Sequence, residues 1–216
     1  LGSMLNILGI GPVVAAGGSG GARDMIIFAD MYPELVTKLA VWSVVGGTFS
    51  TLNLASFYLL SELRTVQTSG IDGVMALPAW AELIRVNDNN RERLRELGAV
   101  EFERVMNRWL DAYVPKANEI IPGVRDFEVS RIDVPTLIIR GGENDRDHPK
   151  RTSYELHALM SSSVIVDPPW PEDAWERALQ EAMVGRGSVF DPWQLAAPGL
   201  LDFIEGRPFA TTSVAE

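Results

Sequence analysis

The sequence predicts an α/β protein with a mostly parallel sheet, interrupted by an inserted helical segment. Three stretches carry that reading. Pro12 to Gly47 runs as an apolar stretch (Val13 to Ala16), a glycine-dense turn (Gly17-Gly18-Ser19-Gly20-Gly21), a helix-like segment and a second apolar stretch (Leu39 to Val45). Strand, turn, helix and strand in that order form a βαβ unit, which joins parallel strands. Val134-Pro-Thr-Leu-Ile-Ile-Arg140 is a further buried strand, followed by a helical stretch from Lys150 to Ser161 and a short strand from Ser163 to Val166. Between these two parts, Thr48 to Arg131 has a different texture, with apolar residues at helical spacing.

Taken in order, Leu1 to Leu8 reads as a helix leading into the first strand. Ala22 to Tyr32 follows the glycine turn as a helix whose Met25, Ile26, Phe28, Ala29 and Met31 suit packing on a sheet, and Pro33 stands where it must have ended. The second strand closes at Gly46-Gly47. Leu52 to Leu63, Ala79 to Val86 and Glu101 to Val114 are helical in period, with Gly70, Gly73 and Pro78 as interruptions, and Asn87 to Gly98 is polar and then helical. Consecutive strands of such a sheet need no connection of about 80 residues. Residues 48–131 are therefore expected to form a helical cap over the C-terminal edge of the sheet, flanked by core segments 1–47 and 132–216. After the last strand, Glu176 to Met183 is helical, Val184 to Gly187 is a turn, and Trp193 to Ile204 is a closing amphipathic helix. The polar tail from Gly206 is expected to fray.

Composition narrows the function classes. The 216 residues are 46% hydrophobic and 22% charged, enough for one good core. A net charge of −10 argues against nucleic acid and anionic membrane surfaces as partners, since no basic stripe is available to neutralise phosphates. No apolar run reaches the ~18 residues of a membrane-spanning helix. The absence of cysteine excludes disulfides, thiolate metal sites and a cysteine nucleophile, and suits a cytoplasmic protein. There is no His-Glu-x-x-His and no His/Asp cluster at ligand spacing, so no metal or cofactor is expected.

The glycine turn carries the chemistry. Gly17-Gly18-Ser19-Gly20-Gly21 matches G-x-S-x-G, a serine raised on a strained strand-to-helix corner, and each glycine is expected to relieve a steric conflict there. Together with Leu8-Gly-Ile-Gly-Pro-Val-Val14 and Tyr32-Pro-Glu-Leu-Val-Thr-Lys-Leu-Ala-Val41, this turn resembles the middle of an α/β-hydrolase. The resemblance covers nearly the whole chain and corresponds to the C-terminal two-thirds of that fold, with its N-terminal strands missing. It implies a serine nucleophile, Ser19, with the Gly20 N–H as an oxyanion donor. Gly141-Gly-Glu-Asn-Asp145-Arg-Asp-His-Pro149 resembles the family's acid loop. Asp145 occupies the position of the aspartate that orients the base, with Glu143 and Asp147 as fallbacks, while Asp147 and Asn144 also suit a turn or cap before Pro149.

The pattern departs from the family at the base. The loop after the last strand, Val166-Asp-Pro-Pro-Trp170-Pro-Glu-Asp-Ala-Trp175, holds no histidine. A serine hydroxyl needs a base within hydrogen-bond reach, and the chain offers only His148 and His157. His157 reads as a satisfied helix histidine. His148 is either a substitute base on the same sheet edge as Ser19 or a structural residue before a helix-opening proline. Trp80, Trp109 and Trp170 are candidate walls of a small-molecule site, with Phe57, Tyr58 and Met106 beside them; core packing is the alternative for the aromatic residues of 48–131.

Three functions remain open at this point. One is a serine hydrolase of small-molecule esters or related bonds. Another is a non-hydrolytic protein of the same fold that binds a small apolar ligand. A phosphate cradle is the third, and it fits poorly because Arg23 stands where G-x-G-x-x-G needs its last glycine. A sheet lacking its first strands also presents an edge, so self-association or a second chain that completes the sheet is expected.

Overall fold

A computed structural model describes residues 1–207 and Phe209. In chain order the elements are α1 (Gly2–Leu8), β1 (Val13–Ser19), α2 (Gly20–Met31), β2 (Val36–Val44), α3 (Gly47–Ala55), α4 (Ser61–Ala76), α5 (Pro78–Val86), α6 (Asn89–Tyr113), α7 (Asp126–Val129), β3 (Thr136–Ile139), α8 (Lys150–Leu159), β4 (Ser163–Val166), α9 (Ala174–Met183) and α10 (Ala197–Ile204). A π-helical turn, Ser56–Leu60, joins α3 to α4, and 3-10 turns occupy Pro33–Leu35 and Asp191–Ala196. The tail that the sequence marks as frayed lies outside the described residues from Ala210 onward.

The four strands form one parallel sheet in the order β1-β2-β3-β4. β1 runs beyond its apolar half, because the glycines continue the ladder: Gly17 pairs with Val41, Gly18 with Trp42 and Ser19 with Val44. Alternation of side chains sorts the strand residues onto two faces. Leu39, Val41 and Ile138 point to one side, where they pack with Leu5 of α1, Ile26 and Ala29 of α2, and Leu156 of α8. Ala40, Leu137 and Ile139 point to the other, against Trp170, Ala174 and Ala196. Burial on both faces explains why these strands read as continuous apolar runs. Lys38 fastens the second face by donating from Nζ to the carbonyls of Phe203 and Ile204, at 2.8 Å each, at the C-terminus of α10.

The chain divides into two compact units: residues 1–50 with 116 onward, and Thr51–Pro115. The expected cap boundary at 131 is therefore too late. Ile121, Val124 and Val129 are buried in the core beneath the sheet, and Gly47 N–H donates to the Ile120 carbonyl at 2.8 Å. Their apolar spacing resembles that of the preceding helices, so periodicity alone does not separate them.

The helical unit, Thr51–Pro115, has its own core of Leu59, Leu63, Val66, Val74, Ile84, Leu94, Phe102 and Met106. Gly70 (φ 65°) and Gly98 (φ 69°) turn the chain within α4 and α6 at backbone angles that favour glycine. Gly73, marked as an interruption in the sequence, lies within the helix, and Pro78 opens α5. No helix among the described residues is long and apolar enough to cross a membrane.

Candidate active site

Ser19 ends β1 and stands immediately before α2, at φ 53° and ψ −124°. Only a surrounding structure that over-determines it holds a serine at such angles, and strain of this kind concentrates at functional corners. Two glycines make the corner possible. A Cβ on Gly17 would strike the Gly21 carbonyl, and one on Gly18 would strike Nε1 of Trp42. Gly20 and Gly21 differ from expectation, since a Cβ on either meets nothing within 4 Å. The tight approach is thus on the strand side of the serine. β2 answers the corner with a bulge: Ser43 adopts φ 47° and is skipped in the register between Trp42 and Val44. Gly20 begins α2, whose leading N–H groups find no carbonyl within the helix.

The loop after β3 supplies the other two groups. It is drawn tight against the start of α8: Gly141 N–H donates to Ser153 Oγ at 3.2 Å, and a Cβ on Gly141 would strike the His148 carbonyl. Asp145 closes the turn on itself, its Oδ1 accepting the backbone N–H of Asp147 at 3.0 Å and of His148 at 2.8 Å. Its Oδ2 lies 2.9 Å from His148 Nδ1, and His148 Nε2 lies 2.9 Å from Ser19 Oγ. His148 is 1% exposed and Asp145 5%. A carboxylate only accepts, so Nδ1 carries a proton, and in the neutral form of the imidazole Nε2 is left to accept from the serine hydroxyl. Ser19, His148 and Asp145 thus form one hydrogen-bonded line whose ends are far apart in sequence.

Charged groups brace the loop. Arg140, buried at the end of β3, donates from Nε to Asp167 at 2.7 Å, from Nη1 to the Gly141 carbonyl at 2.9 Å and to Glu172 Oε2 at 3.0 Å, and from Nη2 to Glu172 Oε1. This pairing holds the Glu172 carboxyl below the usual carboxylate range and pushes the guanidinium up. Glu176 behaves in the opposite way. Both its carboxylate oxygens are buried without a hydrogen-bond partner, and burial, reinforced by Asp145, Asp173 and Asp147, pushes its carboxyl up.

The remaining candidates are dispersed. Glu143 pairs with Lys150 Nζ at 2.6 Å and Asp147 accepts from Trp175 Nε1 at 2.9 Å, while the carboxylate at His148 Nδ1 is that of Asp145. His157 is satisfied through Nδ1 by Ser163 Oγ at 2.7 Å. Trp170 is 9% exposed and packs with Ala174 in the core, beside a cavity of about 10 Å³ that Asp145, Ser43 and Trp175 also line. In the helical unit, Trp80 lies edge-on to Phe102 at 5.4 Å, while Trp109 is 56% exposed. No three His, Asp or Glu side chains among the described residues could hold a metal ion together. Sequence reading missed Trp175, whose ring meets that of His148 at 4.5 Å; no spacing rule pairs it with a histidine 27 positions earlier (175 − 148).

The chain has the α/β-hydrolase fold. It is similar to Rv0554 of Mycobacterium tuberculosis, with a TM-score of 0.50 and 18% identity over 85% of this chain and 68% of that one. It is also similar to the serine hydrolase CCSP0084 of the polyaromatic hydrocarbon-degrading bacterium Cycloclasticus zankles, with a TM-score of 0.52 and 17% identity over 94% of this chain and 67% of that one. At these identities the likeness is one of fold. No protein-family model matches the sequence, and no curated protein matches it.

Proposed function

We propose that the protein is a serine hydrolase of small-molecule esters or related bonds. Ser19 is the nucleophile, His148 the general base and Asp145 the group that orients it. The observation that carries this reading is the 2.9 Å approach of His148 Nε2 to Ser19 Oγ, with Nδ1 held by Asp145. A serine hydroxyl is a weak nucleophile until a base takes its proton. His148 Nε2 accepts that proton as Oγ attacks the ester carbonyl, and the carbonyl electrons move onto oxygen. The Gly20 N–H, at the positive end of α2, donates to that oxyanion. Collapse expels the alcohol, which takes the proton from His148. Water then repeats the sequence on the acyl-enzyme, with His148 as base again. Asp145 keeps the imidazole in the tautomer this requires and stabilises the imidazolium.

A fluorophosphonate probe tests the reading on the full chain. Covalent labelling of the wild-type protein that is lost in Ser19→Ala is the expected result. Failure of well-folded wild-type protein to label would overturn it and favour the non-hydrolytic ligand binder.

The outer edge of β1 supports an association proposal as well. β1 is the first strand of the sheet, and α1 beside it exposes Met4, Ile7 and Leu8. A second copy or another chain pairing there would satisfy that edge. A monodisperse monomer by light scattering would remove this proposal.

A further inference from the structure

The histidine in the proposed triad is held by more than its two hydrogen bonds. Its ring meets the indole of Trp175 at 4.5 Å between centroids and 85° between planes. Trp175 belongs to α9, on the segment after β4, and is itself fixed twice. Its Nε1–H donates to Asp147 Oδ2 at 2.9 Å, and its ring stacks on Trp193 at 6.3 Å and 17°. Trp193 in turn meets Trp42 edge-on at 5.7 Å, and Trp42 Nε1 fills the space that a Cβ on Gly18, the residue before Ser19, would need. A series of three indoles therefore connects the imidazole to the corner that presents the hydroxyl.

We propose that Trp175 is a positioning residue for His148: braced by Asp147 and Trp193, its indole fixes the imidazole plane in which Asp145 and Ser19 are both within reach. The inference rests on the hydrolase reading for its catalytic meaning, but its geometry stands apart from it. An imidazole bound at both nitrogens still rocks about its Cβ–Cγ bond, and each rotation lengthens one of the two contacts. An indole standing at right angles to the ring blocks that motion on one side. Asp147 couples the brace to the acid, because its backbone N–H binds Asp145 Oδ1 while its carboxylate holds the indole. Aromatic pairs in this geometry contribute roughly 0.5–1.5 kcal/mol beyond area burial, and a misplaced base is costly to rate.

The test uses Trp175→Phe, Asp147→Ala and Asp147→Asn in the full chain. Two readouts are followed: hydrogen exchange of the His148 Nδ1–H by NMR, and turnover of an activated acetate ester. Trp175→Phe is expected to lower kcat about tenfold with KM within roughly twofold, the pattern of a misplaced base and not of lost substrate binding. The Nδ1–H should exchange about tenfold faster, because local opening governs its exposure. Asp147→Ala should reproduce both changes, and Asp147→Asn, which keeps an acceptor for the indole, should restore wild-type behaviour. Wild-type exchange in Trp175→Phe or in Asp147→Ala overturns the proposal, as does an Asp147→Asn protein that exchanges as fast as Asp147→Ala. Should Trp175→Phe fail to fold, the two Asp147 variants decide. A wild-type protein that turns over no ester defeats the hydrolase reading, while the exchange arm still decides the role of Trp175.

Discussion

The two units of this protein both carry ion pairs on exposed helix faces, but they differ in where they bury charge and aromatic surface. In the helical unit, Glu82–Arg85, Asp88–Arg91 and Glu101–Arg104 are pairs one turn apart on exposed helix faces. In the sheet unit, Arg140, Asp145 and His148 are buried, and each is tied to residues brought in from other elements or across a tight turn. Tryptophan follows the same division. Trp80 packs on Phe102 within its own helical core, whereas Trp42, Trp193 and Trp175 form a series that ends on the histidine. Burying polar groups is costly unless each finds a partner, so their concentration in one unit marks where the fold has been constrained by something other than stability.

The sharpest way to break this comparison is at the base. His148→Ala is expected to lower ester turnover by roughly 10²–10⁴-fold, measured as kcat at saturating ester; a polar change on an exposed face of the helical unit should leave it unchanged. A second contrast sets two glycines of one turn against each other. Gly18→Ala forces a methyl group into the Trp42 indole and should destabilise by about 1–3 kcal/mol in urea unfolding. Gly20→Ala meets open space and should remain within about 0.5 kcal/mol of wild type.

Ion pairs give the third contrast. Arg140→Met should cost about 1–2 kcal/mol at neutral pH, less than a fully buried pair because Asp167 and Glu172 retain solvent. Since the Glu172 carboxyl is held down in the folded state, its contribution is present above the ordinary carboxylate range and is lost as pH falls through the folded value. The wild-type and Arg140→Met unfolding curves should therefore converge in acid. Arg104→Ala in the helical unit should change stability by less than about 0.5 kcal/mol.

Glu176 predicts the opposite pH dependence. Its carboxyl is pushed up by burial, so the folded state binds that proton more tightly than the unfolded chain does. Stability is then lost as pH rises above the ordinary glutamate range. Glu176→Gln should raise Tm at neutral pH, and the gain should vanish in acid. A gain that persists in acid would mean that packing, not ionisation, is responsible.

Much of the sheet unit was legible in the sequence because its signals are local. Apolar runs marked the strands, G-x-S-x-G marked the corner, and the acid loop followed its strand at short range. Ser19 is singled out by the corner, and Asp145 by the resemblance of its loop to the family's acid loop. The role of His148 was not decidable, since a histidine before Pro149 suits a helix start as well as a base, and only the folded chain brings residues 19 and 148 together. Trp175 and the outer boundary of the helical unit were illegible for a related reason. Both depend on which face packs against which, and period alone does not carry that. Of the glycines in the turn, Gly17 and Gly18 are sterically required, whereas a Cβ on Gly20 or Gly21 meets open space.

Asp145 and His148 sit three positions apart on a single turn, bound to each other through backbone as well as side chain. In the proposed mechanism, acid and base therefore share one short turn. On that reading, a change confined to the segment beyond β4 leaves both groups in place.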